Sequence, residues 1–257
     1  MPSIIEAQYD VFAGSYNSAV DLPCCVLEGE LVSRALGDCT GLTVLDLGGG
    51  SGIHARRALE AGAALVDVFD ISSEMLRVGE DTELKAGRGD RIRWFQADAT
   101  QPFAEQVERG TLPVDGYDVV MANWTIDNAA SAPELLGMWK NAVEYLKPGG
   151  RFLGMRLQNI HAGYLKTGKY GTKHIDFENI DGGIKYKVQC LIDLPFSWEC
   201  VAMDSTYPLT NSIPKKLGLG EFQVMQAEET DTVGKDGEYW RDFTEDPSFV
   251  MVTAKKL

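Results

Sequence analysis

The sequence has no apolar run approaching the length needed to span a bilayer, and its N-terminus lacks the charged-then-apolar pattern of a signal peptide. These absences predict a cytoplasmic protein with no membrane partner. Basic residues are scarce: 24 Lys and Arg stand against 38 Asp and Glu, a formal net charge of -14. A field of that sign opposes phosphate backbones, so no nucleic-acid partner is expected. The five cysteines, Cys24, Cys25, Cys39, Cys190 and Cys200, form no Cys-x-x-Cys spacing and have no His pair near them. No metal site is expected from them, and they read as free thiols in a reducing compartment. Only three histidines are present, which leaves few candidates for proton transfer.

What is present is a rhythm. Apolar runs of about five residues, at 43–47, 64–70, 92–97, 117–122 and 151–157, alternate with amphipathic stretches at 53–61, 73–86 and 132–146. That alternation predicts strand–helix units in a parallel sheet. Lys147-Pro148-Gly149-Gly150 should stop the last helix and turn the chain into the fifth strand. Residues 1–38 read as two helices broken at Leu22-Pro23. From 159 to 207 the rhythm gives way to short β-rich runs, with 184–192 and 196–203 predicted to pair as a hairpin through Asp193-Leu194-Pro195. Late strands at 221–226 and 249–254 would close the main sheet. With 257 residues and 44% hydrophobic content, one substantial core and a single domain are expected.

The most specific local signal is Val44-Leu45-Asp46-Leu47-Gly48-Gly49-Gly50-Ser51-Gly52, a strand running through four glycines into a helix. Such a junction lets the backbone approach a ligand closely and offers unpaired N–H groups to its polar end. Gly50-Ser51-Gly52-Ile53-His54-Ala55 satisfies the Gly-x-Gly-x-x-Ala dinucleotide fingerprint, and Asp70 follows at the distance of a ribose-binding acid. By itself this leaves nicotinamide and S-adenosylmethionine sites equally open. Three further motifs follow in order: Asp70-Ile71-Ser72-Ser73-Glu74-Met75 after the second strand, Gln96-Ala97-Asp98-Ala99 after the third, and Met121-Ala122-Asn123-Trp124 after the fourth. With Lys147-Pro148-Gly149-Gly150 before the fifth, they resemble the class I S-adenosylmethionine-dependent methyltransferases. The opening Tyr9-Asp10-Val11-Phe12-Ala13-Gly14-Ser15-Tyr16 looks like the start of that family's quinone-type branch. Gly168-Lys169-Tyr170-Gly171 and Glu238-Tyr239-Trp240, with Phe243 and Pro247, are similar to the toxoflavin N-methyltransferase group.

The resemblance implies an α/β, Rossmann-like seven-stranded methyltransferase sheet with N-terminal helices and a β-rich insert after the fifth strand. It divides the domain, residues 1–257, into a helical lid (1–38), a cofactor-binding core (39–158), a substrate-capping insert (159–207) and closing strands (208–257). It implies S-adenosylmethionine as cofactor, S-adenosylhomocysteine as product, and methyl transfer to nitrogen or oxygen of a small aromatic or heterocyclic metabolite of secondary metabolism. A monomer or homodimer is expected. For the cofactor, Gly48, Gly50 and Gly52 form the loop, Asp70 takes the ribose or caps the next helix, and Asp98 with the Ala99 backbone takes the adenine or caps a loop. Ile71 and Met75 pack on adenine or in the core. Asp46 orients the glycine loop or meets the methionine amine, His54 serves cofactor binding, Tyr9 and Tyr16 reach the amino-acid end from the lid or simply pack their helix, and Asn123 lies near the methyl group. Toward the acceptor, the catalytic candidates are His174, His161 and Trp124; Arg156 faces either a substrate carboxylate or an internal acid. Asn123-Trp124-Thr125-Ile126 departs from the Asn-Pro-Pro-aromatic motif of enzymes that methylate DNA amines or protein glutamine, which argues against those substrates. Two rivals stand beside this reading: a nicotinamide-dependent oxidoreductase, and a cofactor-binding protein that transfers no methyl group.

Overall fold

A five-residue strand such as Thr43–Leu47, with Val44, Leu45 and Leu47 all sealed from solvent, is satisfied only inside a sheet covered on both faces. The computed structural model describes residues 4–108, 110–113, 115–193, 195–204, 206 and 212–257 and places this strand there. In chain order the strands are β1 (Thr43–Leu47), β2 (Leu65–Asp70), β3 (Ile92–Gln96), β4 (Tyr117–Met121), β5 (Leu146–Leu157), β6 (Thr172–Ile180), β7 (Gly183–Cys190), β8 (Phe196–Met203), β9 (Leu219–Met225) and β10 (Phe249–Lys256). The helices are α1 (Ile4–Tyr16), α2 (Pro23–Leu36), α3 (Ile53–Glu60), α4 (Ser73–Lys85), α5 (Ala132–Glu144), α6 (Gly163–Thr167), α7 (Ile213–Lys216), α8 (Asp231–Lys235) and α9 (Arg241–Glu245).

Seven strands form one sheet in the order β3-β2-β1-β4-β5-β10-β9, and β6-β7-β8 form a second, antiparallel sheet. Strands β1 to β5 pair in parallel, while β10 runs antiparallel to both β5 and β9. The Rossmann-like seven-stranded sheet and the β-rich insert after the fifth strand are therefore as expected. The Lys147–Gly150 turn is a correction: α5 already ends at Glu144, and those four residues lie within β5. The register jumps from Tyr117↔Leu146 to Val119↔Arg151, so the ladder absorbs the proline and glycines as a bulge without ending the strand. The expected hairpin is β7–β8, with Leu194 outside the described residues. Strand β6 was not legible in the sequence, because its side chains are half-buried or exposed and carry no apolar alternation.

Apolar side chains fill both faces of the large sheet, and a smaller cluster of Leu157, Ile160, Tyr186, Val188 and Ala202 lies beneath the insert. Asp67 is fully buried in β2, where Arg93 and the Tyr117 hydroxyl hydrogen-bond its carboxylate. The N-terminal helices break at Leu22 as expected, with Pro23 opening α2 where its missing N–H costs nothing. Helix α1 spans the two sheets' elements. Asp10 accepts from the Ser72 hydroxyl (2.6 Å) at the start of α4, and the Gln8 amide exchanges two hydrogen bonds with the Glu199 backbone of β8 (3.1 and 2.7 Å). Among the described residues no helix is long and apolar enough to cross a membrane.

Candidate active site

The carboxyl ends of parallel strands leave backbone and loop residues pointing into a crevice, and here that crevice is a cavity of about 300 Å³ roofed by the insert sheet. Tyr9, Asp46, Gly48, Gly50, His54, Asp70, Ile71, Met75, Asp98, Ala99 and Asn123 all line it. So do Trp124 and His174. Gly52 does not: it is the left-handed N-cap of α3 (φ 75°), packed against Trp94. The side chain of Tyr16 lies outside the described residues. His161 is exposed with its ring against Phe177 (4.7 Å) and is absent from the cavity lining.

The glycine loop is held by its neighbours. Gly48 and Gly50 both have positive φ (67° and 55°), and the missing Cβ of Gly48 leaves room for Thr125, whose hydroxyl donates to the Leu47 carbonyl. Asp70 accepts from the Gly50 N–H (2.8 Å) and the Ser72 N–H (2.9 Å). It is not the cap of α4; Ser72 is, accepting from the Met75 N–H. Burial pushes the Asp70 carboxyl up to about 6, against the pull of those N–H groups. Asp46 is pushed to about 6 by the same cause, with His54 opposing. Asp98 accepts from both the amide and the hydroxyl of Thr100 (2.8 and 2.7 Å), a side-chain turn that fixes the loop after β3.

Four buried polar atoms of cavity-lining residues, Asp46 Oδ2, His54 Nδ1, Arg57 Nε and Asn123 Nδ2, have no hydrogen-bond partner among the described residues. Asn123 is oriented by accepting from the Met155 N–H (3.1 Å), which leaves its amide donor free. Orphaned buried groups are rare in folded proteins and call for a ligand. A carboxylate oxygen, an imidazole nitrogen and two N–H donors beside a glycine loop and a strand-end acid fit a nucleoside with an amino-acid tail, so the residues present suit S-adenosylmethionine.

The opposite wall is apolar and aromatic. Trp124, held at φ 65°, stands edge-on to Phe249 (5.4 Å), and β6 to β8 contribute His174, Tyr186, Val188 and Trp198. The His174 ring nitrogen Nδ1 lies 3.1 Å from the Ile160 carbonyl. A carbonyl only accepts, so Nδ1 carries the hydrogen and Nε2 the lone pair. Burial lowers its pKa to about 4, which keeps the ring neutral at physiological pH. Arg156 meets an internal acid: with 2% exposure it pairs with Asp127 (3.0 Å) and reaches the Thr206 carbonyl. Sequence reasoning missed the cysteines here. Cys24, Cys25, Cys190 and Cys200 all line the cavity, and burial pushes the Cys190 and Cys200 thiols up to about 12. It also missed Glu28, which lies 2.9 Å from His54 Nε2. Nothing along the chain signals either, because α2 and the insert meet only in three dimensions.

A sheet of this strand order, parallel but for β10, with its cavity at the glycine loop has the Rossmann-like methyltransferase fold. Residues 44–150 match the family described as "Methyltransferase domain". The chain is 29% identical over 165 residues to the ubiquinone/menaquinone biosynthesis C-methyltransferase UbiE of Methylococcus capsulatus, a match covering 62% of each protein. The chain thus spans less than two thirds of that relative. In fold it is similar to the CcbJ methyltransferase of Streptomyces caelestis (TM-score 0.60, 16% identity, 98% of this chain and 97% of that one). A second neighbour is an S-adenosylmethionine-dependent methyltransferase of Mesorhizobium loti (TM-score 0.58, 19% identity, 89% and 99%).

Proposed function

We propose that this protein transfers a methyl group from S-adenosylmethionine to nitrogen or oxygen of a small, flat, aromatic or heterocyclic molecule. Bound at the glycine loop, the cofactor supplies an electrophilic methyl carbon on a sulfonium. The chain's work is then to hold the acceptor in line with that carbon and to exclude water. The observation that carries the acceptor class is His174: a neutral imidazole, fixed in one tautomer, with its Nε2 lone pair available in an aromatic wall. Nε2 accepts a hydrogen bond from the N–H or O–H of the nucleophile. As positive charge builds on that atom during transfer its proton becomes acidic, and a ring of low basicity suffices to take it. Among the described residues, the wall contributed by β6 to β8 carries no Asp, Glu, Lys or Arg at the cavity, which favours an uncharged acceptor.

Calorimetric titration with S-adenosylmethionine, NAD and NADP, repeated for Asp70→Ala, tests the cofactor. Binding of S-adenosylmethionine alone, lost in the variant, is expected; binding of a nicotinamide would transfer the reading to an oxidoreductase. With the cofactor established, a panel of phenols and N–H heterocycles is assayed with His174→Ala. The variant should lose about 10²-fold in kcat while retaining cofactor affinity. The name of the Methylococcus relative brings carbon as a second acceptor atom. A phenol attacking through ring carbon must also shed its O–H proton, so His174 serves either outcome and product analysis separates them.

A further inference from the structure

Two unpartnered atoms, Asp46 Oδ2 and His54 Nδ1, are shielded from solvent at the glycine end of the cavity. The carboxylate oxygen is an acceptor whatever its surroundings. The imidazole nitrogen takes its character from the other side of its ring. Glu28 of α2 sets its Oε1 2.9 Å from His54 Nε2, and the two side chains are only 16% and 15% exposed. Because a carboxylate accepts, Nε2 carries a hydrogen toward Glu28, and in the ring's singly protonated form Nδ1 is a bare lone pair.

The approach of α2 to α3 that makes this contact has a visible cause. Gly29, the residue after Glu28, has no Cβ; one built there would collide with the Arg57 guanidinium of α3. With that space open, Arg57 packs across α2 and donates to the Ser33 hydroxyl (3.3 Å), and His54, one turn earlier on α3, comes within reach of Glu28. Glu28 lies outside residues 44–150, so the group that orients His54 comes from α2 and not from the matched segment.

We infer that Glu28 is a positioning residue: by holding the Nε2–H of His54 it leaves Nδ1 as an acceptor beside Asp46 Oδ2, and the two together hold the α-ammonium group of the cofactor's amino-acid end. An ammonium brings several N–H donors and a positive charge, which is what two buried acceptors, one of them a carboxylate, require. The inference rests on the S-adenosylmethionine reading above.

Its test is calorimetry on the full chain with two probes that differ only at that end: S-adenosylhomocysteine, and 5′-methylthioadenosine, the same nucleoside thioether without the amino acid. Glu28→Leu and His54→Phe should each weaken S-adenosylhomocysteine about 10-fold, the loss of one hydrogen bond to a charged group, and leave 5′-methylthioadenosine unchanged. The double variant should be no weaker than His54→Phe alone, since Glu28 acts through the imidazole. Glu28→Gln, which keeps an acceptor at Oε1, should restore binding. Unchanged S-adenosylhomocysteine affinity in Glu28→Leu overturns the inference, as does equal weakening of both probes, which marks a general loosening of the helices. If the unaltered protein binds neither probe, the cofactor reading itself falls and takes this inference with it.

Discussion

Asp46 sits at the end of β1 with 1% of its surface exposed, and it faces both the glycine loop and His54. Its carboxyl is raised from 3.8 to about 6, so the ligand-free folded chain holds that proton more tightly than the unfolded chain does. The contribution to stability is fully present below the unfolded value and is lost as pH rises through about 6. Asp46→Asn keeps an oxygen for the Ala55 N–H and removes the buried charge. Thermal melts of the ligand-free protein at pH 7.5 should show the variant more stable by about 2–3 kcal/mol, with the gain vanishing near pH 4. The same substitution should weaken S-adenosylmethionine, and in the unaltered protein affinity should fall below about pH 6 as Asp46 and Asp70 take up protons. The glycines and strand-end acids were legible because their types and spacing carry their chemistry. Glu28 was not, since a lone glutamate on an amphipathic helix reads as a solvated face.

Helix α5 contributes Glu134 and Met138 to the cavity lining, and it also shapes the end of the site nearest β3. Asn141 donates to the carbonyls of Ala99 and Gln101 (2.8 and 2.7 Å) and accepts from the Phe103 N–H (3.3 Å). Gly137, one turn before it, lies against the backbone of Thr100, where an added Cβ would meet carbonyl atoms that cannot rotate away. Gly137→Ala should therefore cost about 2 kcal/mol through overpacking, read as a lower urea midpoint. Asn141→Leu, which leaves two carbonyls and an amide unpartnered, should cost at least as much and should weaken adenosine-containing ligands, measured by calorimetry. Neither role was legible, because glycine and asparagine inside a helix look like weak helix formers until the loop they support is seen. The proline and paired glycines at 147–150 show the converse: their turn signal was read, but pairing with β4 overrode it.

At the scale of the molecule, α1 is the element that joins the cofactor side to the acceptor side. Asp10 fastens it to the start of α4, Gln8 fastens it to the backbone of β8, and Tyr9 lies between them in the cavity wall, its hydroxyl on Asn128. Saturation with S-adenosylmethionine should slow hydrogen exchange in residues 4–16 and 196–203 together. Gln8→Ala should abolish the effect at 196–203 and leave it in residues 4–16, as measured by exchange mass spectrometry.

The sequence by itself determined the parallel core: buried five-residue strands, a glycine loop and strand-end acids are local patterns, and backbone hydrogen bonding with apolar burial leaves them one arrangement. Their strand bounds agree with the structure to within a residue or two, apart from β5. Tertiary structure alone decided which two of the three histidines face the cavity, which acid receives Arg156, and that four cysteines line one cavity. Those outcomes depend on contacts between residues tens to hundreds of positions apart. Such contacts are set by how α1, α2 and the insert sheet pack over the strand ends, and no spacing along the chain records them.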